Sequence, residues 1–289
     1  MFDIITFGSA TNDIFLKTGK DFKFGQKVLV NDLEIFTGGG GVNTASTFKK
    51  QGLKTAYVGL VGLDEAGLRI KKELASSAKF LKQTGKTAQS FIISPHGKER
   101  TILIYRGACH FMKEVPFKKI KKTKWFYIAP LHLETLKLLK PLVIFAKENN
   151  IKIALNPSQE QLKEKSFLEI IKEIDFLLLN RTEADLLPKD FIEKCSGIIA
   201  ITNARKPSFI LKGNDCFKVF ANNISFVEKT GAGDAFGAGF VAGLLKKNDI
   251  EYAIRLATSN AEACIKEVGA QNGLLNQKDK LSKVKIQKI

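Results

Sequence analysis

The sequence predicts an α/β protein, a three-layer α/β/α arrangement with a doubly wound sheet and a small β-sheet lid. Short apolar segments alternate with helical patterns along most of the chain, as in βαβ folds. Most of these segments are apolar on both faces, which is typical of a parallel sheet covered by helices on both sides. Two other stretches alternate between apolar and polar residues without room for a helix, and they predict the lid.

Six segments rich in β-branched or aromatic residues are predicted as strands of the main sheet, namely FDIITFG, TAYVGLVG, KWFYIAPL, IKIALNP, IDFLLLN and GIIAIT. Helical patterns accompany them at 43–51, 67–75, 133–149, 166–173, 235–247 and 250–266. The polar segment 276–289 is interpreted as a final strand or a frayed end. The regular alternation of strands and helices indicates a doubly wound sheet.

The two lid stretches span 14–36 and 87–105, the second with a hairpin turn predicted at 95–98. Both are expected to form antiparallel strands outside the main sheet. Such strands can cover the carboxyl ends of the parallel strands, where open α/β sheets bind ligands. Because the chain shows no internal repeat and no long linker, residues 1–289 are interpreted as one domain.

The formal net charge of +17 comes mostly from lysine. Nucleic-acid readers usually cluster arginine and aromatic residues on one face, whereas lysine is spread along this chain. Its densest run, FKKIKKTKW, is interpreted as the polar face of a short helix ahead of a buried strand, with a non-specific polyanion patch as the alternative. We therefore expect no nucleic-acid partner, although the positive field would attract anionic nucleotides.

The sequence also predicts a cytoplasmic protein without a membrane partner. No apolar run approaches the roughly 20 residues that span a bilayer. The N-terminal segment has no basic region ahead of its apolar residues and is interpreted as a strand rather than a signal peptide. The four cysteines are scattered without a CxxC pair, as expected of reduced thiols.

The motif KTGAGDAFGAGF places small residues and one acid where a loop turns into a helix. Gly231, Ala232 and Gly233 allow a ligand to approach their backbone N–H groups, and a helix N-terminus favours anions. A carboxylate at such a place, Asp234, is repulsive to a phosphate unless it acts as a base. The alternative is a plain helix start with an acidic first turn.

A second glycine cluster, GGGGVN, also leads into a predicted helix. Gly39 and Gly40 allow close approach of a ligand, and Asn43 offers both a donor and an acceptor for a polyol or a ribose. Asp13, just past the first strand, is suited to two sugar hydroxyls. The alternatives are a tight turn for close helix packing and a simple turn residue.

A third candidate site closes the strand IDFLLLN. Asn180 and Glu183 stand three positions apart at this strand end, and they are suited to a hydrated Mg²⁺ near phosphates, since Mg²⁺ keeps several waters. The alternative is a helix start with an acidic first turn.

Together these residues resemble the ribokinase-like (PfkB) family of sugar and nucleoside kinases. The resemblance extends over essentially the whole chain. The motifs that carry it occur in the family's order, GGGGVNTASTFKKQG, VGLVGLDEAG, YRGA, NRTE, KTGAGDAFGAGF and VGAQNG.

The resemblance implies an ATP-dependent kinase that transfers the γ-phosphate to a hydroxymethyl group of a sugar, as ribokinases and fructokinases do. It implies Asp234 as the base and Gly231, Ala232 and Gly233 as the anion hole. The implied substrate residues are Asp13, Gly39, Gly40 and Asn43. Asn180 and Glu183 would position Mg²⁺, and the nucleotide side would comprise Asn180, Thr202, Asn260 and Gly269. The lid of such kinases often pairs with a second subunit, which implies a homodimer.

The chain departs from the family pattern at three places. In the nucleotide motif T-x-G-x-x-G, Ala204 and Pro207 replace both glycines, so Arg205 or Lys206 would contact phosphates instead. Glu228 replaces the aspartate of the family's monovalent-cation loop, which leaves potassium use open, with the Lys229 ammonium as a substitute for the ion. Gly40 stands where ribokinases proper carry lysine, which leaves room for a bulkier substrate.

Two other functions therefore stay open. The first is a nucleoside kinase of the adenosine type. The second, from another class, is a catalytically silent sensor of sugars or nucleotides. The intact Asp234, Asn180 and Glu183 argue against a sensor, whereas the loss of the nucleotide-motif glycines keeps it open. A phosphosugar kinase is less favoured, because Arg106 is the only candidate found for binding a second phosphate.

Overall fold

Ten strands form the main sheet of the computed structural model, which describes residues 1–19, 25–95, 100–131, 133–188 and 190–289. Four further strands of the described residues form a second sheet. The strands are β1 (Phe2–Phe7), β2 (Thr11–Thr18), β3 (Val30–Gly38), β4 (Thr55–Val61), β5 (Phe80–Gln83), β6 (Ala88–Pro95), β7 (Thr101–Tyr105), β8 (Thr123–Ile128), β9 (Lys152–Leu155), β10 (Phe176–Asn180), β11 (Ile198–Thr202), β12 (Ser208–Lys212), β13 (Asp215–Phe220) and β14 (Lys285–Lys288).

The helices lie between these strands. They are α1 (Gly40–Lys50), α2 (Glu65–Leu74), α3 (Phe117–Ile120), α4 (Leu139–Glu148), α5 (Gln159–Leu162), α6 (Lys165–Ile171), α7 (Arg181–Ala184), α8 (Ala232–Lys247) and α9 (Ile250–Cys264). Short 3-10 turns occur at Ala75–Ser77, Gly107–Phe111, Leu133–Leu138 and Ile192–Lys194. In the described part of the chain, no helix is long and apolar enough to cross a membrane.

The main sheet has the strand order β14-β13-β12-β11-β10-β9-β8-β1-β4-β5, and the strands from β11 to β5 are parallel. The chain winds away from the β1–β8 pair in both directions, which confirms the doubly wound sheet. The six predicted strands are confirmed as β1, β4, β8, β9, β10 and β11. The predicted tail strand is β14, which extends an antiparallel edge of β12 and β13 that the sequence reading had not identified.

Helices cover both faces of the main sheet, so the predicted three layers are present. Ile4 of β1 packs on one face in a core cluster with Phe240 of α8 and Ile254 of α9. Ile5, the next residue, packs on the opposite face with Leu142 of α4 and with α6. Because successive side chains of a strand point to opposite faces, one apolar strand serves both layers.

The structure corrects the starts of four predicted helices, among them α8, which begins at Ala232 instead of 235. α1 begins at Gly40 instead of 43, because the glycine turn itself forms the first helical turn. α2 begins at Glu65 instead of 67, because the Asp64 side chain caps the N–H of Gly67 at 2.9 Å. The predicted helix 133–149 starts as a 3-10 turn and becomes α4 only at Leu139, two residues before Pro141, which has no N–H to donate.

The second sheet has the order β3-β2-β6-β7 and is called the lid sheet below. It contains both predicted lid stretches, although its strands extend further, from Thr11 and to Gly38. Each stretch forms an antiparallel pair as expected, β2 with β3 and β6 with β7. The two pairs join through β2 and β6, which are parallel, a pairing that the sequence did not predict. β2 follows the carboxyl end of β1, and β6 follows the carboxyl end of β5. Because β1 and β5 are parallel strands of the main sheet, β2 and β6 leave that sheet in the same direction. The predicted hairpin turn falls mostly on 96–99, outside the described residues.

The lysine-rich run FKKIKKTKW forms the short helix α3 followed by the buried strand β8, as predicted. Ile120 of α3 and Trp125 of β8 are buried, while the lysines between them point to solvent. This part of the charge therefore lies on the solvated surface of α3, the following turn and the start of β8.

Candidate active site

A cavity of about 540 Å³ lies where the carboxyl ends of β1 and β8 meet the lid sheet. This is the point where the strand order reverses, the usual ligand site of an open α/β sheet. Described residues in its lining include the carboxylates Asp13, Glu160 and Asp234 and the guanidinium of Arg106. Gly39, Gly40, Asn43 and Gly231 also line it, so the structure brings together the two glycine motifs that the sequence singled out.

Asp234 lies in the first turn of α8, which begins after the left-handed residue Gly231 (φ 83°). Oδ2 of Asp234 accepts a 2.9 Å hydrogen bond from the side-chain amide of Asn43 on α1. Burial raises the pKa of Asp234 to about 6, and the Asp13 carboxylate adds to the rise, whereas the Asn43 hydrogen bond opposes it. Such a carboxylate is ionised at neutral pH yet more basic than an exposed aspartate, as a general base requires.

The two glycines ahead of Asp234 have different surroundings. A Cβ on Gly231 would overlap Ala270, and its positive φ also favours glycine. A Cβ on Gly233 would meet no heavy atom within 4 Å. The Ala235 N–H donates to Gly231 O at 2.8 Å, so the N–H groups of Gly233 and Asp234 come before the regular helical ladder. Open space beside such N–H groups is what anion binding at a helix N-terminus needs.

Asp13 lies on the inner side of the lid sheet, in β2, instead of in a simple turn. Only 5% of its surface is exposed, and its carboxylate accepts hydrogen bonds from the hydroxyls of Thr11 (2.7 Å) and Ser90. Burial raises the pKa of Asp13, although these hydrogen bonds oppose the rise. A buried carboxylate that faces a cavity is an acceptor for substrate hydroxyls.

The glycine turn between the lid sheet and α1 is tightly packed. Gly39 caps α1 with a φ of 91°, and the N–H of Gly40 donates to the Ser9 hydroxyl at 3.2 Å. A Cβ on Gly40 would lie 2.9 Å from Cβ of Ala129 and 3.3 Å from Oδ1 of Asp234. A side chain at position 40 would therefore require Ala129 to move and would crowd the carboxylate.

Asn180 and Thr202 end neighbouring parallel strands and stand opposite each other in the register. Asn180 also starts α7 through a capping box, in which its Oδ1 accepts from the Glu183 N–H (2.9 Å) while the Glu183 carboxylate accepts from the Asn180 N–H (2.8 Å). The helix-start interpretation is therefore correct for this pair. The bond uses only Oε2 of Glu183, so a magnesium role for the other carboxylate oxygen is compatible with the cap.

The turn after Thr202 keeps the shape of a glycine turn without the glycine. Ala204 adopts a φ of 46°, and the N–H of Lys206 donates to Asn203 O at 2.8 Å. Arg205 lies over the ring of Phe226 at 5.2 Å. Ala204 thus adopts the left-handed backbone conformation that glycine tolerates best, at a steric cost of about 1 kcal/mol.

The Lys229 ammonium lies over the same ring, 4.7 Å from the Phe226 ring centre. The cation that pairs with Glu228 is instead Arg100, which precedes β7 in the lid sheet. The hypothesis that Lys229 substitutes for a monovalent cation at Glu228 is therefore corrected.

Asn260 is not open to a ligand, contrary to the expectation that it sits by the nucleotide. It is fully buried; its amide donates to Ala235 O at 2.8 Å and its Oδ1 accepts from the Leu275 N–H at 2.9 Å. It supports the first turn of α8 from within the core. Gly269 has a φ of 89° and packs against Phe36 of β3, outside the cavity lining.

Two residues near the site were missed by sequence reasoning. Gln271 donates to Oδ1 of Asn43 at 3.2 Å, and Arg100 bonds to the loop before Gly231. Gln271 stands inside the motif VGAQNG, which was singled out for its glycines and not for its amide. No local sequence pattern pointed to Arg100, because its partner Glu228 is 128 positions away.

The profile of the pfkB family carbohydrate kinases matches residues 1–277 of this chain. The ribokinase of Lactococcus lactis is 27% identical over 301 residues, covering 99% of this chain and 96% of that protein. The nucleoside kinase of Methanothermobacter thermautotrophicus is 23% identical over 289 residues, covering 94% and 92%.

Among solved structures, a putative ribokinase II of E. coli in complex with ATP and Mg²⁺ superimposes with a TM-score of 0.85, 18% identity and coverage of 96% and 97% of the two chains. This similarity shows the ribokinase-like fold. With a family profile that matches nearly its whole length, the chain belongs to the pfkB carbohydrate kinase family.

Proposed function

We propose that this protein is an ATP-dependent kinase that phosphorylates a hydroxymethyl group of a small sugar. The observation that carries the proposal is Asp234, a carboxylate of raised pKa at the wall of a cavity, in the first turn of α8, where a Cβ at Gly233 would meet open space. Family membership supports the class of reaction. The four cysteines are free thiols, which supports a cytoplasmic location, and the 1–277 match supports a single kinase domain.

In the proposed reaction, Asp13 and Asn43 hold substrate hydroxyls so that one hydroxyl faces Asp234. Asp234 accepts the hydroxyl proton while the substrate oxygen bonds to the γ-phosphorus of ATP and the bond from that phosphorus to the ADP oxygen breaks. The N–H groups of Gly233 and Asp234 offset the charge on the transferring group. Positioning and fixed electrostatics supply most of the acceleration.

The residues on the nucleotide side fit a magnesium nucleotide. Within the described chain, no three His, Cys, Asp or Glu side chains gather into a metal site. Mg²⁺ bound to a nucleotide needs few protein ligands, because phosphates and waters fill its coordination sphere. Glu183 retains one oxygen for such a water, and Arg205 and Lys229 share the Phe226 ring close to the loop before Gly231. ATP would supply the phosphoryl group, and Mg²⁺ would offset phosphate charge.

A nucleoside kinase is the second candidate. The nucleoside kinase relative and the absence of a side chain at Gly40 favour it. A substrate that already bears a phosphate is disfavoured, since Arg106 is opposed by Asp13, Glu160 and Asp234 among the described lining residues. Neutral sugars and nucleosides suit this charge balance.

The test is an assay of ADP release over pentoses, hexoses, sugar phosphates and nucleosides, with and without potassium. Turnover with a neutral sugar supports the proposal, and turnover confined to nucleosides selects the second candidate. A sensor predicts ligand binding without ADP release, and this result would overturn the kinase proposal.

We also propose that two copies associate through their lid sheets. Ile14, Ile35, Phe91 and Leu103 stand opposite one another across all four lid strands, on the face away from the cavity. The exposed fractions of Ile35 and Leu103 are 45% and 54%. A contiguous exposed apolar row is typical of a protein–protein contact, and a second copy presents the same row.

A further inference from the structure

Gln271 lies behind the Asn43–Asp234 pair and joins it to the lid sheet. Its Nε2 is 3.2 Å from Oδ1 of Asn43 and 3.0 Å from the carbonyl oxygen of Thr37 in β3. Its Oε1 accepts a 2.5 Å hydrogen bond from the hydroxyl of Ser46 on α1. One amide therefore connects β3 and α1 to the residue that hydrogen-bonds Asp234.

The partners fix the orientation of both amides. The carbonyl of Thr37 can only accept a hydrogen bond, so the nitrogen of the Gln271 amide must face it. The Asn43 amide is then turned with Oδ1 towards Gln271, and its Nδ2 donates to Asp234. A reversed Asn43 amide would place two oxygens against each other at Asp234 and two nitrogens at Gln271.

We propose that Gln271 is a positioning residue for phosphoryl transfer. It holds the Asn43 amide in the orientation that donates to Oδ2 of Asp234, so that Oδ1 of Asp234 faces the substrate. The inference rests on the proposed role of Asp234 as base. Gln271 itself touches no reacting atom and acts through Asn43.

The orientation of the Asn43 amide controls the basicity of Asp234, because the Asn43 hydrogen bond stabilises the ionised carboxylate. Loss of this bond is expected to raise the pKa of Asp234. Asp13 of β2, Tyr127 of β8 and Cys264 of α9 interact electrostatically with Asp234, and Arg106 and Glu160 line the same cavity. A neutral substitution of Gln271 leaves all these groups in place, so a change can be assigned to the amide.

The decisive experiment titrates the Asp234 carboxyl carbon by NMR in the ligand-free protein, with the Asp234→Asn spectrum as assignment. In Gln271→Met, which keeps the volume without the amide, the pKa of Asp234 should rise by about one unit. The acidic limb of kcat should move upward by the same amount. Asn272→Ala, a change at the exposed neighbour, should leave both values as in the wild type.

An unchanged Asp234 pKa in folded Gln271→Met would overturn the proposal. If that variant does not fold, Ser46→Ala removes only the hydroxyl that orients Gln271 and should raise the pKa by a smaller amount; no rise there overturns the proposal equally. Because the titration needs no substrate, it decides the role of Gln271 even if the ADP-release assay rejects the kinase function.

Glu228 accepts several hydrogen bonds through its Oε1 from the loop before Gly231. It accepts from the N–H groups of Lys229 (2.7 Å) and Thr230 (3.0 Å) and from the Thr230 hydroxyl (2.9 Å). Arg100 of the lid sheet forms an ion pair with the same oxygen and lies 2.6 Å from the Thr230 hydroxyl. The Glu228 side chain is only 14% exposed, so this charge is largely removed from solvent.

The geometry points to Arg100 as a second positioning residue, by which the lid sheet holds the loop 228–231 and thus the anion-binding N–H groups. A planar guanidinium can bond Glu228 and Thr230 together, whereas a shorter side chain cannot. Movement of the lid sheet is then coupled to the shape of the anion site.

Hydrogen exchange tests this role without substrate. In Arg100→Met the amides of Lys229 and Thr230 should exchange faster, while Lys17→Ala, which breaks an exposed lid ion pair with Asp32, should leave them unchanged. Glu228→Gln should also speed exchange at Thr230. Added guanidinium should restore part of the kcat of Arg100→Met. Wild-type exchange in both the Arg100 and Glu228 variants would overturn the proposal.

Discussion

Asn43 and Asp234 stand 191 positions apart in the chain, yet the amide of Asn43 donates a 2.9 Å hydrogen bond to Oδ2 of Asp234. The bond joins the two helices that follow the glycine motifs, α1 and α8. It also places the proposed base, Asp234, between the side-chain amide of Asn43 and the N–H groups at the start of α8. The chemistry of the site depends on this pair more than on either motif alone.

The raised pKa of Asp234 predicts a stability effect that depends on pH. The folded pKa of about 6 exceeds the ordinary value of 3.8, so the stability contributed by this group is full below about 3.8 and is lost as the pH rises through about 6. Asp234→Asn should therefore stabilise the fold at pH 8 by about 2 kcal/mol, given the partial solvent access of the carboxylate, and by little at pH 4. Urea unfolding at both pH values measures this. An equal gain at the two values would contradict the assignment.

Gly233 and Gly237 share one helix and should respond in opposite ways to alanine. A Cβ at 233 enters open space, so Gly233→Ala should leave stability unchanged or raise it by about 0.5–1 kcal/mol while kcat falls sharply, since the methyl group occupies the anion site. A Cβ at 237 would overlap the Tyr127 hydroxyl and lie 2.7 Å from Leu178, so Gly237→Ala should cost about 1–3 kcal/mol. Melting curves and kcat separate the two effects. Full activity in Gly233→Ala would contradict the anion site.

Glu183 has two separable roles, the helix cap and the proposed contact with hydrated Mg²⁺. Glu183→Gln keeps an acceptor for the Asn180 N–H and should preserve stability, whereas the KM for MgATP should rise about tenfold or more. Glu183→Ala loses the cap as well and should cost a further ~1 kcal/mol of stability. Titration of Mg²⁺ at fixed ATP gives the comparison. A wild-type magnesium dependence in Glu183→Gln would leave only the capping role.

The apolar outer face of the lid sheet predicts a dimer that a charge can break. Leu103→Lys places a charge in the middle of the exposed row and should convert the dimer to a monomer at micromolar concentration. Ile144→Lys, at a similarly exposed position (47%) on α4, is the control and should remain dimeric. Light scattering after size exclusion gives the mass. A monomeric wild type, or a dimeric Leu103→Lys, would contradict the lid contact.

Much of the fold could be predicted from local patterns. The strands β1, β4 and β8 to β11 are short apolar runs, and their burial on both faces leaves a clear signal. The parallel pairing of β2 with β6 could not be predicted, because it depends on where two distant excursions leave the sheet. Two helix starts were misplaced where a cap or a proline, Asp64 or Pro141, set the boundary, whereas the start of α9 after its cap Asp249 was predicted correctly.

The candidate site was predicted where backbone shape determines chemistry and missed where long side chains meet. Gly231, Gly233 and Asp234 stand together in one motif, so their spacing carries the information. Gln271 and Arg100 act through contacts with residues more than a hundred positions away, which no local pattern contains. Asn260 was assigned to the nucleotide, although its amide is consumed within the core.

The central claim is that Asp234 is the base of phosphoryl transfer, and the most direct measurement is kcat of Asp234→Asn with the best substrate of the ADP-release assay. A positioned general base contributes about 10²–10⁴-fold, so kcat should fall by about that factor while substrate and ATP still bind. Asp215→Asn, a change at an exposed residue of β13 far from the cavity, should keep wild-type turnover. A folded Asp234→Asn protein that retains kcat within about threefold of the wild type would contradict the account.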